Sequence, residues 1–407
     1  MKAINVSIMV TLAFLAFLGP FSLTVFLPAL PSVAIDVESS IGLVQLSISL
    51  AMLGVVVASL IVGPAADAIG RKPVMVVSQV LCIAGCMICL FAPSVIWLII
   101  GRTLLAAAAS SGLVISRAVI GDRFSGKAAV LAVSVVTIGC ILALLLGPPV
   151  GGWMVDYLGW RSLFWLQAIL VFMAMFATMQ WLPEQECTME VDCRDRPGIA
   201  AFVRVLRAPT VATWLLHGSL HYGGLMAFVS ALPHILAING EPPTTFGIGM
   251  LVPILTMTLG IGLAVFGRYK VAPLRAIVSG SLLALLAIMV LVPLLKMLLP
   301  AGHPALYFAP VSIAVVGVGI AFPYTQAAII EAVGEMDRGA AGALMGALPT
   351  LVGALAAQGV VMSPAAYIPR VLFALAMFTS SLSLLSALVV MWANRAQDTI
   401  SRSSGEF

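Results

Sequence analysis

The chain alternates long apolar stretches with short polar connections from one end to the other. Twelve stretches reach the roughly 18 residues that a helix needs to cross a hydrocarbon layer about 30 Å thick. Their apolar positions lack the period of two that marks a membrane β-strand. The pattern predicts an all-α integral membrane protein with transmembrane helices at residues 7–35, 41–65, 73–92, 95–120, 128–154, 161–182, 209–238, 244–267, 273–297, 305–332, 339–361 and 368–394.

The longest polar stretch, residues 183–208, follows six predicted spans and precedes six more. It is acidic at its start and basic at its end, as a solvated linker would be. The sequence therefore predicts two six-helix bundles, residues 1–182 and 209–394, joined by a linker at 183–208 and followed by a tail at 395–407.

Composition and charge distribution fix the environment of these bundles. Of the 407 residues, 62% are hydrophobic and 9% are charged, whereas about 25% are charged in an ordinary soluble domain. With the N-terminus inside, most Lys and Arg fall in cytoplasmic segments, and the opposite face holds Arg161, Lys296 and Arg370. This bias predicts a multi-pass protein of the inner (cytoplasmic) membrane with both termini cytoplasmic. The basic residues set topology in the lipid bilayer, so a nucleic-acid partner is not expected.

The connection between the second and third spans, residues 63–72, reads G-P-A-A-D-A-I-G-R-K. Charged groups are costly beside hydrocarbon, so they persist there when they are paired or functional. The decapeptide resembles the loop between helices 2 and 3 of major facilitator superfamily transporters, although Ala65 and Ala68 depart from that pattern. The resemblance implies a latch that holds the two bundles together when the cytoplasmic entrance is closed. A second interpretation is that these residues only anchor helix ends and topology. The latch residues are Gly63, Asp67, Gly70, Arg71 and Lys72, with Arg117 and Asp122 from the end of the fourth span.

The fifth span contains G-P-P-V-G-G at residues 147–152. Its prolines remove backbone donors, and glycines four residues apart allow a close helix approach. The run resembles the signature of the drug/proton antiporter branch of the superfamily. Together with L-P-A-L-P at 27–31, it makes the chain similar to bicyclomycin/chloramphenicol-resistance (Bcr/CflA-type) exporters, which implies the 12-helix major facilitator fold. Generic close packing of a membrane helix is the alternative. The signature residues are Gly139, Gly147, Pro148, Gly151 and Gly152.

Candidates for handling protons or cargo follow from the polar residues inside the spans. No Asp or Glu falls deep within a predicted span, and Thr24 stands where the resembled exporters commonly carry an acid. Arg102 does not release its proton in proteins. His217 and His221 share one helix face, and imidazole titrates near pH 6.5. Two interpretations are open: these histidines take up protons or contact substrate, or they only form hydrogen bonds within the bundle. His234 and His303 are expected at the periphery. Further cavity candidates are Phe26, Gln45, Tyr222, Tyr324 and Gln326.

These observations favour a secondary active transporter that works by alternating access. We expect a proton-coupled exporter of small, partly apolar, neutral or anionic compounds, such as a drug, metabolite or siderophore. An importer or facilitator of organic anions with Arg102 as the counter-charge is the main alternative, and a membrane receptor or scaffold ranks below it. The chain has no nucleotide-binding loop, nucleophile–base pair or metal cluster, so neither an enzyme, a metal site nor a cofactor is expected. The proton gradient is the expected energy source, and a monomer is expected.

Overall fold

The computed structural model describes residues 6–124, 126–182, 199–267, 272–300, 302–333, 338–364 and 367–404, and these residues are helical apart from short turns. Twelve segments are long and apolar enough to cross a membrane, and each coincides with one of the predicted spans to within a few residues. The predicted fold class and the positions of the spans are therefore confirmed.

Seven α-helices and one short 3-10 helix make up the first six spans. Helices α1 and α2 belong to one span, which the 3-10 helix interrupts. Their bounds are α1 Val6–Thr24, the 3-10 helix Leu27–Ala29, α2 Leu30–Asp36, α3 Ile41–Ile69, α4 Arg71–Leu90, α5 Val95–Arg123, α6 Gly126–Leu158 and α7 Ser162–Trp181.

The remaining helices start with the short amphipathic α8, which is not a span. Helices α10 and α11 together form the eighth span. The bounds are α8 Ile199–Arg207, α9 Pro209–Ile238, α10 Pro243–Gly249, α11 Leu251–Gly267, α12 Pro273–Leu298, α13 Ala305–Ala332, α14 Arg338–Val361 and α15 Ile368–Ser404.

Local chemistry explains several helix ends. Pro28 lacks a backbone N–H and cannot donate to the carbonyl of Thr24, so α1 gives way there to the 3-10 turn. Ser40 begins α3, because its hydroxyl accepts a hydrogen bond from the backbone N–H of Leu43 at 3.3 Å. Between α3 and α4 the chain turns at Gly70, whose φ of 103° is readily adopted only by glycine.

The described helices fall into two compact units. The first unit comprises residues 1–194 and 232–251. In it α5 packs against α1, α3 and α4, while α6 packs against α1 and α10. A clasp at one end joins α2 to the start of α7: Arg161 lies 2.5 Å from a carboxylate oxygen of Asp36, which also accepts a hydrogen bond from Trp160.

The second unit comprises residues 195–231 and 252–407. Its most closely associated helices are α12 and α13, and α15 packs beside α12. The buried core at one end gathers Trp214 from α9, Ile277 from α12 and Ile329 from α13. Val205 of α8 joins this core, so the amphipathic helix is held against the unit by its apolar side. The division into bundles, linker and tail at residues 182, 208 and 394 stays a prediction.

Candidate functional site

Three of the charged latch residues, Asp67, Arg71 and Asp122, meet within the first unit, where α3 ends, α4 begins and α5 ends. Nη2 of Arg71 lies 2.5 Å from a carboxylate oxygen of Asp122 and 4.0 Å from one of Asp67. The arginine is buried, with a side chain 10% exposed, whereas Asp67 is 49% exposed. Asp122 is therefore the main partner of the buried guanidinium, and the pair ties the α3–α4 turn to α5.

The other latch residues contribute differently. Gly70 supplies the positive φ of the turn, and Lys72 is half-buried in the first turn of α4. Gly63 has open space around it, so its lack of a side chain is not required by packing there. Arg117 is exposed and has no ion pair among the described residues. The predicted role of these residues in joining the two bundles stays a prediction.

The signature glycines of α6 lie against the backbone or side chains of other helices. A Cβ added to Gly139 or Gly151 would come closer than 3.0 Å to the backbone of α1 or of its extension, and one on Gly147 would collide with Thr24. Gly152 faces the start of α10, where a Cβ would lie 2.7 Å from the carbonyl oxygen of Pro243. The glycines therefore allow α6 to contact α1 on one side and α10 on the other.

The contact between α6 and α10 is reinforced by two further features. A Cβ at Gly247 of α10 would collide with the carbonyl of Pro148, so the two backbones touch there as well. The carboxylate of Asp156 accepts a hydrogen bond of 3.0 Å from the backbone N–H of Thr244 in the first turn of α10. The signature thus forms a structural joint of three helices within the first unit.

Arg102 on α5 is fully buried in the first unit. Its Nη1 donates a hydrogen bond of 3.0 Å to the carbonyl of Ser22, and its guanidinium lies 4.1 Å from the ring centre of Phe26. Its Nε and Nη2 have no hydrogen-bond partner among the described residues. The arginine therefore holds the end of α1 by a charge-assisted bond and a cation–π contact, and no solvent-accessible surface remains for cargo.

The remaining cavity candidates are distributed over both units. Gln45 is fully buried on α3, and the hydroxyl of Thr24 donates to the carbonyl of Pro20 at 2.9 Å. In the second unit Tyr324 donates to the carbonyl of Ala264 at 3.0 Å. The ring of Tyr222 lies against Gly353 of α14, and Gln326 is half-buried. Their common membership of a cavity stays a prediction.

The two histidines of α9 form a buried polar cluster inside the second unit. Their rings are perpendicular, with centres 4.8 Å apart. Nε2 of His217 lies 3.0 Å from the hydroxyl of Ser281 on α12, and Nε2 of His221 lies 3.2 Å from the same hydroxyl. Nδ1 of His217 lies 3.2 Å from the hydroxyl of Thr325 on α13. We call these four residues the histidine cluster; it joins three helices.

The hydrogen-bond donors and acceptors of the histidine cluster fit a neutral state and a singly protonated state. The hydroxyl of Ser281 donates to the carbonyl of Ile277 at 2.9 Å, which leaves its lone pairs to accept from both histidines when each carries its proton on Nε2. The hydroxyl of Thr325 has two acceptors within reach: Nδ1 of neutral His217, and the carbonyl of Ala321 at 3.0 Å. A proton on Nδ1 of His217 would donate to the hydroxyl of Thr325, which can in turn donate to the carbonyl of Ala321. The arrangement accommodates both the neutral and the protonated ring.

Sequence reasoning found His217 and His221 but missed both hydroxyls, and its expectation for His234 was wrong. No motif in the sequence marks Ser281 or Thr325, and only the packing of three helices places them beside His217. His234, expected at the periphery, is 1% exposed, and both of its ring nitrogens lack partners among the described residues. Its position near a helix end concealed this burial. His303 is exposed, in agreement with the prediction.

The chain is similar to transporters over most of its length. It is 28% identical over 354 residues to an uncharacterized MFS-type transporter, YdgK, of Bacillus subtilis, covering 84% of this chain and 86% of that protein. It is 24% identical to multidrug resistance protein D of Escherichia coli, covering 90% of each. A bicyclomycin resistance protein homolog of Haemophilus influenzae is 27% identical over 61% of this chain and 63% of its own length.

Solved structures share the fold at low identity. The nucleoside transporter NupG superposes with a TM-score of 0.73 at 13% identity, covering 94% of this chain and 99% of the other. One of these relatives is named as a transporter and the others as drug-resistance proteins, which confirms that the chain is not an enzyme and bears out its likeness to the drug/proton antiporter branch. A family model described as Major Facilitator Superfamily matches residues 12–357. The chain therefore belongs to the major facilitator superfamily.

Proposed function

We propose that this transporter is a proton-coupled exporter of small, partly apolar compounds that are neutral or anionic. The observation that carries the proposal is the set of buried ionisable side chains. Among the described residues the buried side chains that carry or can take up a positive charge are arginines and histidines, and no carboxylate is buried. A buried carboxylate would attract a cationic cargo, whereas this set gives a cation no favourable partner.

The histidine cluster is the proposed proton carrier. His217 and His221 are nearly or fully enclosed, and their hydrogen bonds accommodate one added proton by rotation of the Thr325 hydroxyl. Histidine is the side chain whose ordinary titration lies in the range of physiological proton gradients. Relatives named for multidrug and bicyclomycin resistance support drug-like cargo and outward transport.

The proposed setting follows from the distribution of basic residues along the chain. The excess of Lys and Arg in alternate connections supports cytoplasmic termini in the inner membrane. We further propose that the protein acts as a monomer and that cargo moves by alternating access. The latch residues are proposed to act at the cytoplasmic side. Import of an organic anion with Arg102 as counter-charge is less favoured, because this guanidinium is enclosed by Phe26 and the end of α1.

Transport by purified protein in proteoliposomes under an imposed pH gradient tests the proposal. We expect proton-driven accumulation of chloramphenicol or of a carboxylate-bearing analogue, and little accumulation of tetraphenylphosphonium. Preference for the lipophilic cation, or transport that an ionophore collapsing the pH gradient leaves unchanged, would contradict it.

A histidine substitution tests the proton carrier. His221→Gln keeps a polar side chain but removes the titration, so the pH dependence of transport should flatten. His303→Gln is the matched control, because His303 is exposed and outside the histidine cluster. An unchanged pH profile in His221→Gln rules this residue out as the carrier.

A further inference from the structure

The short helix α8 carries three different strips of side chains along its length. Val205 is buried in the core of the second unit. Val203 and Leu206, three residues apart, form an apolar strip and are 39% and 44% exposed. Arg204 and Arg207, also three residues apart, form an exposed basic strip. At 3.6 residues per turn, the three strips lie about 120° apart around the helix axis.

The position of α8 in the second unit puts these strips at the boundary of the membrane. A single residue, Ala208, separates α8 from Pro209, where the span of α9 begins. Val205 shares its core with Val390 of α15. Two residues further along α15, Trp392 is 74% exposed, and tryptophan is enriched where a bilayer meets water. The exposed strips of α8 therefore lie at the level of the lipid headgroups and the first acyl carbons.

The combination of a basic and an apolar strip matches the chemistry of an anionic phospholipid. Guanidinium groups bind phosphate through paired, charge-assisted hydrogen bonds, and α8 has no acidic side chain to compete for them. Helices with this pattern lie in the interface with their apolar side toward the acyl chains. A soluble anion or an acidic peptide would leave Val203 and Leu206 without an apolar partner. A phospholipid satisfies both strips, because its headgroup and its acyl chains belong to one molecule.

We propose that the exposed face of α8 is a binding site for one anionic phospholipid. The lipid phosphate pairs with Arg207 and Arg204, and the upper part of an acyl chain packs on Val203 and Leu206. Because Val205 fixes α8 to the core of the second unit, the bound lipid also stabilises that end of the unit. The leaflet in which this lipid lies, the cytoplasmic one, rests on the proposed orientation, whereas the site itself is independent of cargo and of the proton carrier.

Native mass spectrometry of the detergent-solubilised protein tests the proposal, with phosphatidylglycerol and phosphatidylcholine of the same acyl chains as probes. Phosphatidylglycerol carries a net negative charge, whereas phosphatidylcholine has none. We expect the first phosphatidylglycerol to bind about tenfold or more tightly than the first phosphatidylcholine, since each arginine beside an anionic lipid contributes about fivefold. Arg207→Gln should weaken phosphatidylglycerol binding about fivefold and leave phosphatidylcholine binding unchanged. Arg207→Lys keeps the charge and should retain most of the affinity.

Further variants separate a local site from a general attraction between charges. Arg123→Gln removes an equally exposed arginine from the last turn of α5, in the first unit, and should leave phosphatidylglycerol binding unchanged. Val203→Ser combined with Leu206→Ser removes no charge but should weaken phosphatidylglycerol binding severalfold, because the acyl chain loses its apolar contact. All of these side chains are exposed, so the variants should fold, and matching melting curves without added lipid verify this.

Equal affinity for the two lipids, or equal losses in Arg207→Gln and Arg123→Gln, would overturn the inference. Competition by millimolar inorganic phosphate would assign the site to a soluble anion instead, and a dimer mass that disappears in Leu206→Ser would assign the face to a second copy of the chain. The assay contains neither cargo nor a pH gradient. Its failure therefore leaves the transport proposal standing, and a failure of proton-driven transport leaves the lipid site standing.

Discussion

Replacing Asp122 with Asn should destabilise the protein more than replacing Asp67 with Asn, although both carboxylates face Arg71. Asp122 lies 2.5 Å from the guanidinium and Asp67 lies 4.0 Å from it. The side chain of Asp67 is 49% exposed, and ion pairs of that kind contribute about 0.2–1 kcal/mol. A close hydrogen bond to a charged group contributes about 1.5–3 kcal/mol, and removing the charge also leaves a buried guanidinium poorly compensated. We expect losses of about 1.5–3 kcal/mol for Asp122→Asn and less than about 1 kcal/mol for Asp67→Asn.

Titration with SDS, which unfolds the protein reversibly in mixed micelles, measures the loss of stability in both variants. Combining each substitution with Arg71→Ala completes a double-mutant cycle and isolates the two pairwise energies. The coupling of Arg71 to Asp122 should exceed its coupling to Asp67 by about 1 kcal/mol or more. If these residues form a gate, both variants should also slow transport in proteoliposomes while leaving cargo binding nearly unchanged, with the larger effect from Asp122→Asn.

Equal couplings, or a larger coupling to Asp67, would refute the assignment of Asp122 as the main partner. Equal losses of transport and cargo binding would refute the gating role and favour the simpler reading that the pair anchors helix ends. Arg161→Gln provides the scale for an exposed pair, because Arg161 and Asp36 are each 44% exposed. Its loss should stay below about 1 kcal/mol.

Three further predictions concern other parts of the molecule. Thr325→Val removes the hydroxyl that faces Nδ1 of His217, so we expect transport to slow about tenfold and its pH profile to shift. Thr325→Ser keeps a hydroxyl and should retain the rate and pH profile of the unaltered protein. Identical transport by the two variants would exclude the hydroxyl rotation. Gly151→Ala should lower Tm by several degrees, because its Cβ would collide with the backbone of Val25. Gly63→Ala should leave Tm unchanged, because the space around Gly63 is open. Similar melting curves for the two variants would show that α6 and α1 can move apart without cost. Arg102→Gln should destabilise the first unit by about 2 kcal/mol or more, because it removes the hydrogen bond to Ser22 and the contact with Phe26. SDS titration measures this loss, and a clearly smaller value would contradict the prediction.

The fold followed from the sequence because each span is a long apolar segment with polar ends. Predicted boundaries such as 209–238 and 305–332 coincide with α9 and α13, since Pro209 and the turn before Ala305 mark the starts chemically. The proximity of Arg71 to Asp67 was also foreseeable, as Asp67 is four residues earlier on the chain. Asp122 is the closer partner because α5 packs against α4 at this point. No local sequence pattern predicts that packing.

The candidate site was less predictable. The spacing of His217 and His221 placed both on one face, but their partners Ser281 and Thr325 lie 60 and 108 residues away in the chain. A cavity beside His221 is lined by Ala, Val and Phe residues from four helices, and no local sequence pattern predicts it. Burial of His234 and of Arg102 likewise depends on neighbouring helices rather than on the residues beside them in the sequence.

Because the joint between α6, α1 and α10 is made largely by main-chain atoms at Gly139, Gly151 and Gly152, its geometry is insensitive to the side chains that neighbouring positions carry. Random substitution of the side chains beside these glycines, with the glycines themselves held constant, should therefore leave the packing of α6 against α1 and α10 intact.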